Sequence, residues 1–175
     1  MEVTVLAVSG SLRAGSSNGA LLRAARHAAP AGMRLQIYGG IGELPHFNPD
    51  LDRAPLPESV RAWRDAVGGA AALLISTPEY AHGVPGALKN ALDWLVSAED
   101  FAGKPVAIFY GSAGDAHHAR AQLAEVLRTM AARVIDDASF SLPGARGKIA
   151  TDGTVKDPRA RGEIERAMAA LAASI

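Results

Sequence analysis

Three stretches of the chain, Val3 to Val8, Ala72 to Ser76 and Pro105 to Tyr110, are apolar at nearly every position and only five or six residues long. A strand with one wet face alternates polar and apolar residues, whereas one without alternation is covered on both sides, as in a parallel sheet between helices. Each run stands before a loop and a segment of helical periodicity. A fourth run at Arg34 to Tyr38 and a weaker fifth around Val134 to Leu142 complete a five-stranded sheet. Apolar residues at spacings of three and four follow: Leu21, Leu22 and Ala25; Val60, Trp63 and Val67; Leu88, Leu92 and Leu95; Leu123, Leu127 and Met130; Ile164, Met168, Leu171 and Ile175. Each set puts one apolar stripe on a helix. The alternation predicts an α/β fold: a doubly wound five-stranded parallel sheet with helices on both faces and right-handed crossovers.

The length of 175 residues suits a single domain, 1–175, and at this size roughly 70% of the unfolded surface leaves water on folding. There is no cysteine, which excludes disulfides, Cys-based metal sites and a Cys nucleophile and fits a reducing cytoplasm. Eighteen Lys and Arg balance eighteen Asp and Glu, so nucleic acid is not an expected partner. The first residues are acidic and apolar with no cationic run, and no apolar stretch reaches the ~20 residues of a membrane span. No membrane association is expected. Two long loops, Gly39 to Pro57 with four prolines and three glycines and the Gly/Lys/Arg-rich Leu142 to Asp157, read as surface loops at a subunit contact.

The chemistry gathers in the loops after the three central strands. The first reads Ser9-Gly10-Ser11-Leu12-Arg13-Ala14-Gly15-Ser16-Ser17-Asn18 and opens directly into a helix. Its glycines allow close backbone approach, its four serines and Asn18 offer donors, Arg13 offers charge, and the helix N-terminus adds free N–H groups. Capping a helix needs only one such residue, so the set points to a phosphate cradle. Neither a G-x-x-x-x-G-K-[ST] loop nor a G-x-G-x-x-G fingerprint occurs here, and Ser with Arg suits a phosphate monoester such as that of a mononucleotide.

The second loop, Thr77-Pro78-Glu79-Tyr80-Ala81-His82-Gly83-Val84-Pro85-Gly86, belongs beside the first at the carboxyl end of the sheet. Its prolines stiffen a backbone that can meet the edge of a flat heterocycle, with Tyr80 as an aromatic wall; the plainer reading is a Pro/Gly turn. The third, Gly111-Ser112-Ala113-Gly114-Asp115-Ala116-His117-His118, is small enough for close approach. Adjacent histidines on a helix point ~100° apart and do not chelate one metal, so no metal site is expected. Gly15-Ser16-Ser17-Asn18-Gly19 matches the G-x-S-x-G hydrolase pattern, but eight residues separate Val8 from Ser17 where an elbow makes one sharp turn.

Taken together these residues resemble the NADPH-dependent FMN reductase family, flavodoxin-like in fold, and in particular its chromate/quinone reductase branch. Ser9-Gly10-Ser11-Leu12-Arg13 with Ser16 and Asn18 is similar to the family's G-S-L-R-x-x-S-x-N loop, and Leu44-Pro45-His46-Phe47-Asn48-Pro49-Asp50 to its L-P-x-F-N-x-D loop. Thr77-Pro78-Glu79-Tyr80 through Leu88-Lys89-Asn90-Ala91-Leu92-Asp93-Trp94 resembles its P-E-Y-N…P-G-x-L-K-N-A-x-D-W signature. The resemblance implies non-covalent FMN, with Ser9, Ser11, Arg13, Ser16, Ser17 and Asn18 around the phosphate. Pro78, Glu79, Tyr80 and Ala81 would run along the isoalloxazine, with Ser112 and Gly114 near its other edge. Hydride would pass from NADPH or NADH to the flavin and on to a small-molecule electron acceptor: a quinone, chromate, an azo compound or free flavin. A non-catalytic FMN-binding electron carrier of flavodoxin type is the alternative, against which the zero net charge leans. A homodimer or homotetramer is also implied, with the Gly39 loop and the Trp94 helix near the contact. Ala81 stands where the pattern has Asn, and His117-His118 where relatives often carry Gly-Gly; both departures are expected to loosen the flavin.

Overall fold

The computed structural model describes residues 2–175. The strands are β1 (Val3–Ser9), β2 (Met33–Tyr38), β3 (Ala72–Thr77), β4 (Pro105–Tyr110), β5 (Arg133–Val134) and β6 (Phe140–Ser141). The helices are α1 (Ser17–His27), α2 (Glu58–Gly68), α3 (Gly86–Asp93), α4 (His117–Thr129), α5 (Ala145–Lys148) and α6 (Pro158–Ala172). All strand pairs are parallel, in the order β2-β1-β3-β4-β5, with β6 also on β4. This is the flavodoxin-like order, whose reversal point lies between β1 and β3. No helix among the described residues is long and apolar enough to cross a membrane.

The unalternating strands are explained by two cores. Successive side chains leave a strand on opposite faces, so Leu6, Val8, Leu73, Ile75, Val106 and Ile108 face one way, onto Val60 and Trp63 of α2, Leu88 of α3 and Leu123 of α4. Val5, Ala7, Ala72, Leu74, Ala107 and Phe109 face the other, onto Leu21 and Ala25 of α1 and Ile164 and Met168 of α6. Small residues in the centre of that second face let the Ala-rich side of α1 lie close to the sheet.

The expected fifth strand is broken in two. Consecutive Asp136 and Asp137 begin a single 3₁₀ turn, Asp136–Ala138, that takes the main chain out of the ladder. Ser139 then substitutes for the missing main chain: its Oγ accepts from Ile108 N at 3.0 Å and donates to Ile135 O at 2.9 Å. The helical stripes also end sooner than their periodicity. Leu95 and Met130 lie just past α3 and α4, and Ile175 lies beyond α6 and is exposed.

Neither long loop is a free surface loop. Ile41 and Leu44 are buried, and Asn90 pins the first loop by donating Nδ2 to Pro45 O at 3.0 Å while its Oδ1 accepts from Phe47 N at 2.8 Å. The Trp94 indole N–H adds a 2.8 Å bond to Pro45 O and its ring is fully buried, so Trp94 itself cannot form a subunit contact. In the second loop Leu142, Ala145 and Ile149 are buried in the α1/α6 core.

At the carboxyl end of β4, burial pushes the Tyr110 hydroxyl up to about 12 from its ordinary 10.0, against the opposing pull of the Arg120 guanidinium 5.7 Å from the ring centre. A raised folded value means that the folded state keeps a proton the unfolded chain gives up. Stability is therefore intact below pH 10 and falls between pH 10 and 12, by about 1.4 kcal/mol per pH unit. Urea unfolding of Tyr110→Phe against the parent at pH 9, 10 and 11 should show this part of the alkaline loss removed.

Candidate functional site

The parallel order of β1, β3 and β4 brings the three loops that follow them together at the carboxyl end of the sheet. Gly10 donates its N–H to Ser76 O at 2.8 Å, and Gly111 donates to Thr77 O at 3.1 Å, so both outer loops continue the ladder onto β3. Space dictates the glycines: a Cβ on Gly10 would stand 2.5 Å from Thr77 Oγ1, and one on Gly111 would stand 2.6 Å from Asn18 Oδ1. Asn18, in the first turn of α1, fills the resulting wedge. Its Oδ1 accepts from Ser76 Oγ (2.9 Å) and Gly111 N (3.1 Å), and its Nδ2 donates to Gly111 O (2.8 Å).

The first loop is organised by its own serines. Ser9 Oγ accepts from Ser11 N at 3.2 Å and donates to Ser11 O at 3.0 Å, closing a tight turn. Ser16 caps α1, its Oγ accepting from Asn18 N at 3.1 Å. The N–H groups of Arg13's neighbour Leu12, of Gly15 and of Ser17 meet no acceptor among the described residues. Ser11 Oγ reaches Tyr80 OH at 3.0 Å, which ties the first loop to the second while leaving Tyr80 52% exposed.

Glu79 is committed elsewhere. α4 begins after a left-handed Ala116 that has no side-chain cap, and the Glu79 carboxylate supplies one by accepting from Ala119 N at 2.8 Å. A carboxylate at a helix N-terminus is favoured by the free N–H groups and the helix dipole.

These walls enclose a cleft of about 710 Å³ lined by Ser11, Arg13, Ser16, Ser17, Asn18, Pro78, Glu79, Tyr80 and Ser112. All nine were expected at the site. Asn18 acts as a structural wedge, its side-chain oxygen accepting twice and one of its two amide N–H groups donating to Gly111 O, while the residue still lines the cleft. Three expected residues do not line the cleft: Ser9 is turned into its own loop, Ala81 sits at the tip of a turn, and Gly114 lies beyond the wall. His117 and His118 do not line it either; His118 stacks on His82 with ring centres 4.4 Å apart. Gly111, Ala113, Gly144, Arg146 and Gly147 complete the lining. Arg146 arrives on α5, whose position depends on the split fifth strand and on Gly144, which donates its N–H to Ser112 O at 2.9 Å. The Arg13 and Arg146 side chains have no hydrogen-bond or ion-pair partner among the described residues. One end of the cleft is therefore cationic and rich in donors, and the other is flat.

The Asn18 wedge and the Ala81 turn each generate a test. Asn18→Ala strands Ser76 Oγ and loosens both outer loops, and should lower unfolding free energy by about 2 kcal/mol in urea. Tyr80 and Gly83 exchange both backbone hydrogen bonds, at 3.0 and 2.9 Å, with Ala81 (φ 48°) and His82 (φ 58°) both left-handed between them. Such a turn favours Asn or Gly, because a Cβ there costs about 1–2 kcal/mol. Ala81→Gly should raise the melting temperature by a few degrees, consistent with relief of about 1 kcal/mol.

The chain is similar to known proteins along most of its length. Residues 3–147 match the NADPH-dependent FMN reductase family. An NAD(P)H-dependent FMN reductase of Pseudomonas aeruginosa is 35% identical over 174 residues, covering 97% of this chain and 94% of that protein. A quinone reductase of Escherichia coli is 37% identical over 144 residues, 79% of this chain and 77% of its own. Among solved structures, the flavoenzyme NAD(P)H:(acceptor) oxidoreductase FerB of Paracoccus denitrificans superposes with a TM-score of 0.77 at 31% identity, covering 98% of both chains. Matched by the family model over residues 3–147 and 35% identical to a family relative along almost its whole length, the chain belongs to the NADPH-dependent FMN reductase family.

Proposed function

We propose that the cleft holds FMN with its phosphate at the Arg13 end, and that the chain passes electrons from NADPH or NADH to a quinone. The observation that carries this reading is the polarity of the cleft. Arg13 and Arg146, the Ser17 hydroxyl and the open N–H groups before α1 suit a dianionic phosphate, while Pro78, Tyr80, Gly111 and Ala113 suit a planar ring. A volume of about 710 Å³ lies within the range of small-molecule and cofactor sites. The residues present therefore fit the group.

FMN would supply the hydride chemistry; the protein supplies position, charge and exclusion of water. Arg13 and Arg146 neutralise the phosphate, and Ser16 holds the α1 N-terminus in place to receive it. The two prolines and the closed Tyr80–Gly83 turn hold the edge of the ring rigidly. Glu79, the carboxylate that lines the cleft, accepts the Ala119 N–H through one of its oxygens at the start of α4. Tyr80 is half exposed, so one ring face stays open to a nicotinamide and then to an acceptor in turn. That open face supports a broad acceptor set, with chromate, azo compounds and free flavin after quinones. A second copy of the chain, in a homodimer or homotetramer, would cover exposed Leu12 beside the cleft. A nicotinamide-consuming chain without cysteine suits the cytoplasm.

The test compares FMN with riboflavin, which lacks the phosphate. Arg13→Ala should weaken FMN about tenfold or more, the effect of losing one charge-assisted contact, and leave riboflavin unchanged in fluorescence titration. Equal affinity of the parent for both flavins would remove the phosphate assignment. Anaerobic bleaching of the bound flavin by NADPH, followed by reoxidation with a quinone, supports the reductase; flavin bands that persist under NADPH would favour the electron carrier.

A further inference from the structure

Glu79 is the one acid among the described residues that line the cleft, and it stands between Pro78 and Tyr80 at the flat end. Both ends of its side chain are held. The backbone enters from β3 with Thr77 Oγ1 donating to Pro78 O at 3.1 Å, and leaves into the closed Tyr80–Gly83 turn. At the tip, Oε2 accepts from Ala119 N at 2.8 Å. Among the described residues Oε1 meets no donor, and no Lys or Arg lies within ion-pair distance of the carboxylate.

We propose that the Glu79 charge sets the redox potential of the bound flavin, holding it low so that electrons pass on readily to the acceptor. The inference rests on the reading of the cleft as an FMN site and concerns what this chain does to the flavin once it is bound.

Charge is the first argument. Arg13, Arg146 and Glu79 are the charged side chains of the lining. A dianionic phosphate at the cationic end offsets both arginines, which leaves Glu79 as the uncompensated charge of the loaded cleft. Hydride transfer carries two electrons and one proton from C4 of the nicotinamide to the ring, so the nicotinamide becomes cationic and the neutral ring anionic. Passing that hydride to a quinone, which takes a further proton from water, returns the ring to neutral. A fixed negative charge beside the ring opposes the first step and favours the second. At an effective dielectric of about 20, two unit charges even ~10 Å apart shift an equilibrium by roughly tenfold.

Position is the second. α4 has no acid in its first turn and no side-chain cap of its own, so the Glu79 carboxylate stands as counter-charge to the positive end of that helix. Loss of the carboxylate therefore also bares the helix end, which moves the potential in the same direction. The other charged or titratable groups at the start of α4 are placed outside the cleft. Arg120 lies 5.7 Å from the centre of the Tyr110 ring, Asp115 Oδ1 accepts from His117 N at 3.3 Å, and the exposed His117 and His118 do not line the cleft.

Glu79→Gln removes the charge and keeps an oxygen for Ala119 N, whereas Glu79→Ala removes both, so the pair separates the charge from the cap. The two-electron midpoint potential of bound FMN is measured at neutral pH by equilibration with reference dyes, with thermal unfolding of each variant alongside. Both variants are expected to raise the potential, reduced FMN gaining about tenfold over oxidised, which is about 30 mV, and only Glu79→Ala should lose thermal stability. Anaerobic stopped-flow should show slower reoxidation by a quinone in Glu79→Gln. A parental potential in Glu79→Gln, whatever Glu79→Ala does, would overturn the charge role and leave Glu79 as a cap alone. A lowered potential would overturn its sign. Either result comes with FMN still bound, whereas a parent that binds no FMN would sink the reading of the cleft, and this inference with it.

Discussion

The side chain of Asn18 directs both lone pairs of its oxygen at Ser76 Oγ and Gly111 N, and its amide at Gly111 O, so one helical residue joins the ends of β3 and β4. It works beside the 3.1 Å bond from Gly111 N to Thr77 O, which continues the β3–β4 ladder by one residue. Because the wedge is buried at 1% exposure, each of its hydrogen bonds replaces a lost bond to water, and an unmade one leaves a buried group without a partner. The position of α1 over the sheet follows from it. So does the position of the free N–H groups that begin α1, which lie one residue from Asn18 on one side and open into the cleft on the other. The phosphate end of the site is therefore a by-product of how the helix is anchored to the strands.

This explains which parts of the site could be read from the residues alone. The strands were legible because burial on both faces leaves a one-dimensional trace, an apolar run without alternation. The first loop was legible as a donor-rich segment, but the donors could not be sorted. Ser9, Ser16 and Asn18 have the same chemistry as a ligand contact, and only the fold shows that Ser9 closes its own turn and that the Asn18 side chain faces the strands. Arg146 was not legible as part of the cleft, because its place depends on where the fifth strand breaks. That break is made by Asp136 and Asp137 and repaired by Ser139, a substitution of side chain for main chain with no periodic signature.

The paired motifs around Pro45 and Asn90 divide in the same way. Their residues recur together because they bind each other: the Asn90 amide and the Trp94 indole both donate to Pro45 O, and Phe47 packs edge-on against Trp94 with ring centres 5.1 Å apart. Asp52 adds a second tie, gripped by the Ser97 hydroxyl at 2.6 Å and by Arg64 at 2.8 Å, and the Ser97 bond first and Arg64 second hold its carboxyl below the usual carboxylate range. A motif of this kind signals a family through the fold, and none of these residues lines the cleft.

Ala81 shows the opposite relation between motif and site. The Asn that the pattern has at this position is intelligible from the turn alone, since Asn tolerates a left-handed backbone far better than Ala. In this chain the turn is kept with Ala81 and His82 both strained, and what holds it is the pair of Tyr80–Gly83 hydrogen bonds, the His82–His118 stack and the Gln122 Oε1 that accepts from Val84 N at 2.6 Å. The last two contacts both come from α4, the helix whose first turn Glu79 caps. The loop that walls the flat end of the cleft is thus fastened to α4 at both ends of its turn. Strain at the tip is balanced by contacts that do not enter the cleft, which is why the wall can be rigid while its Tyr80 face remains open.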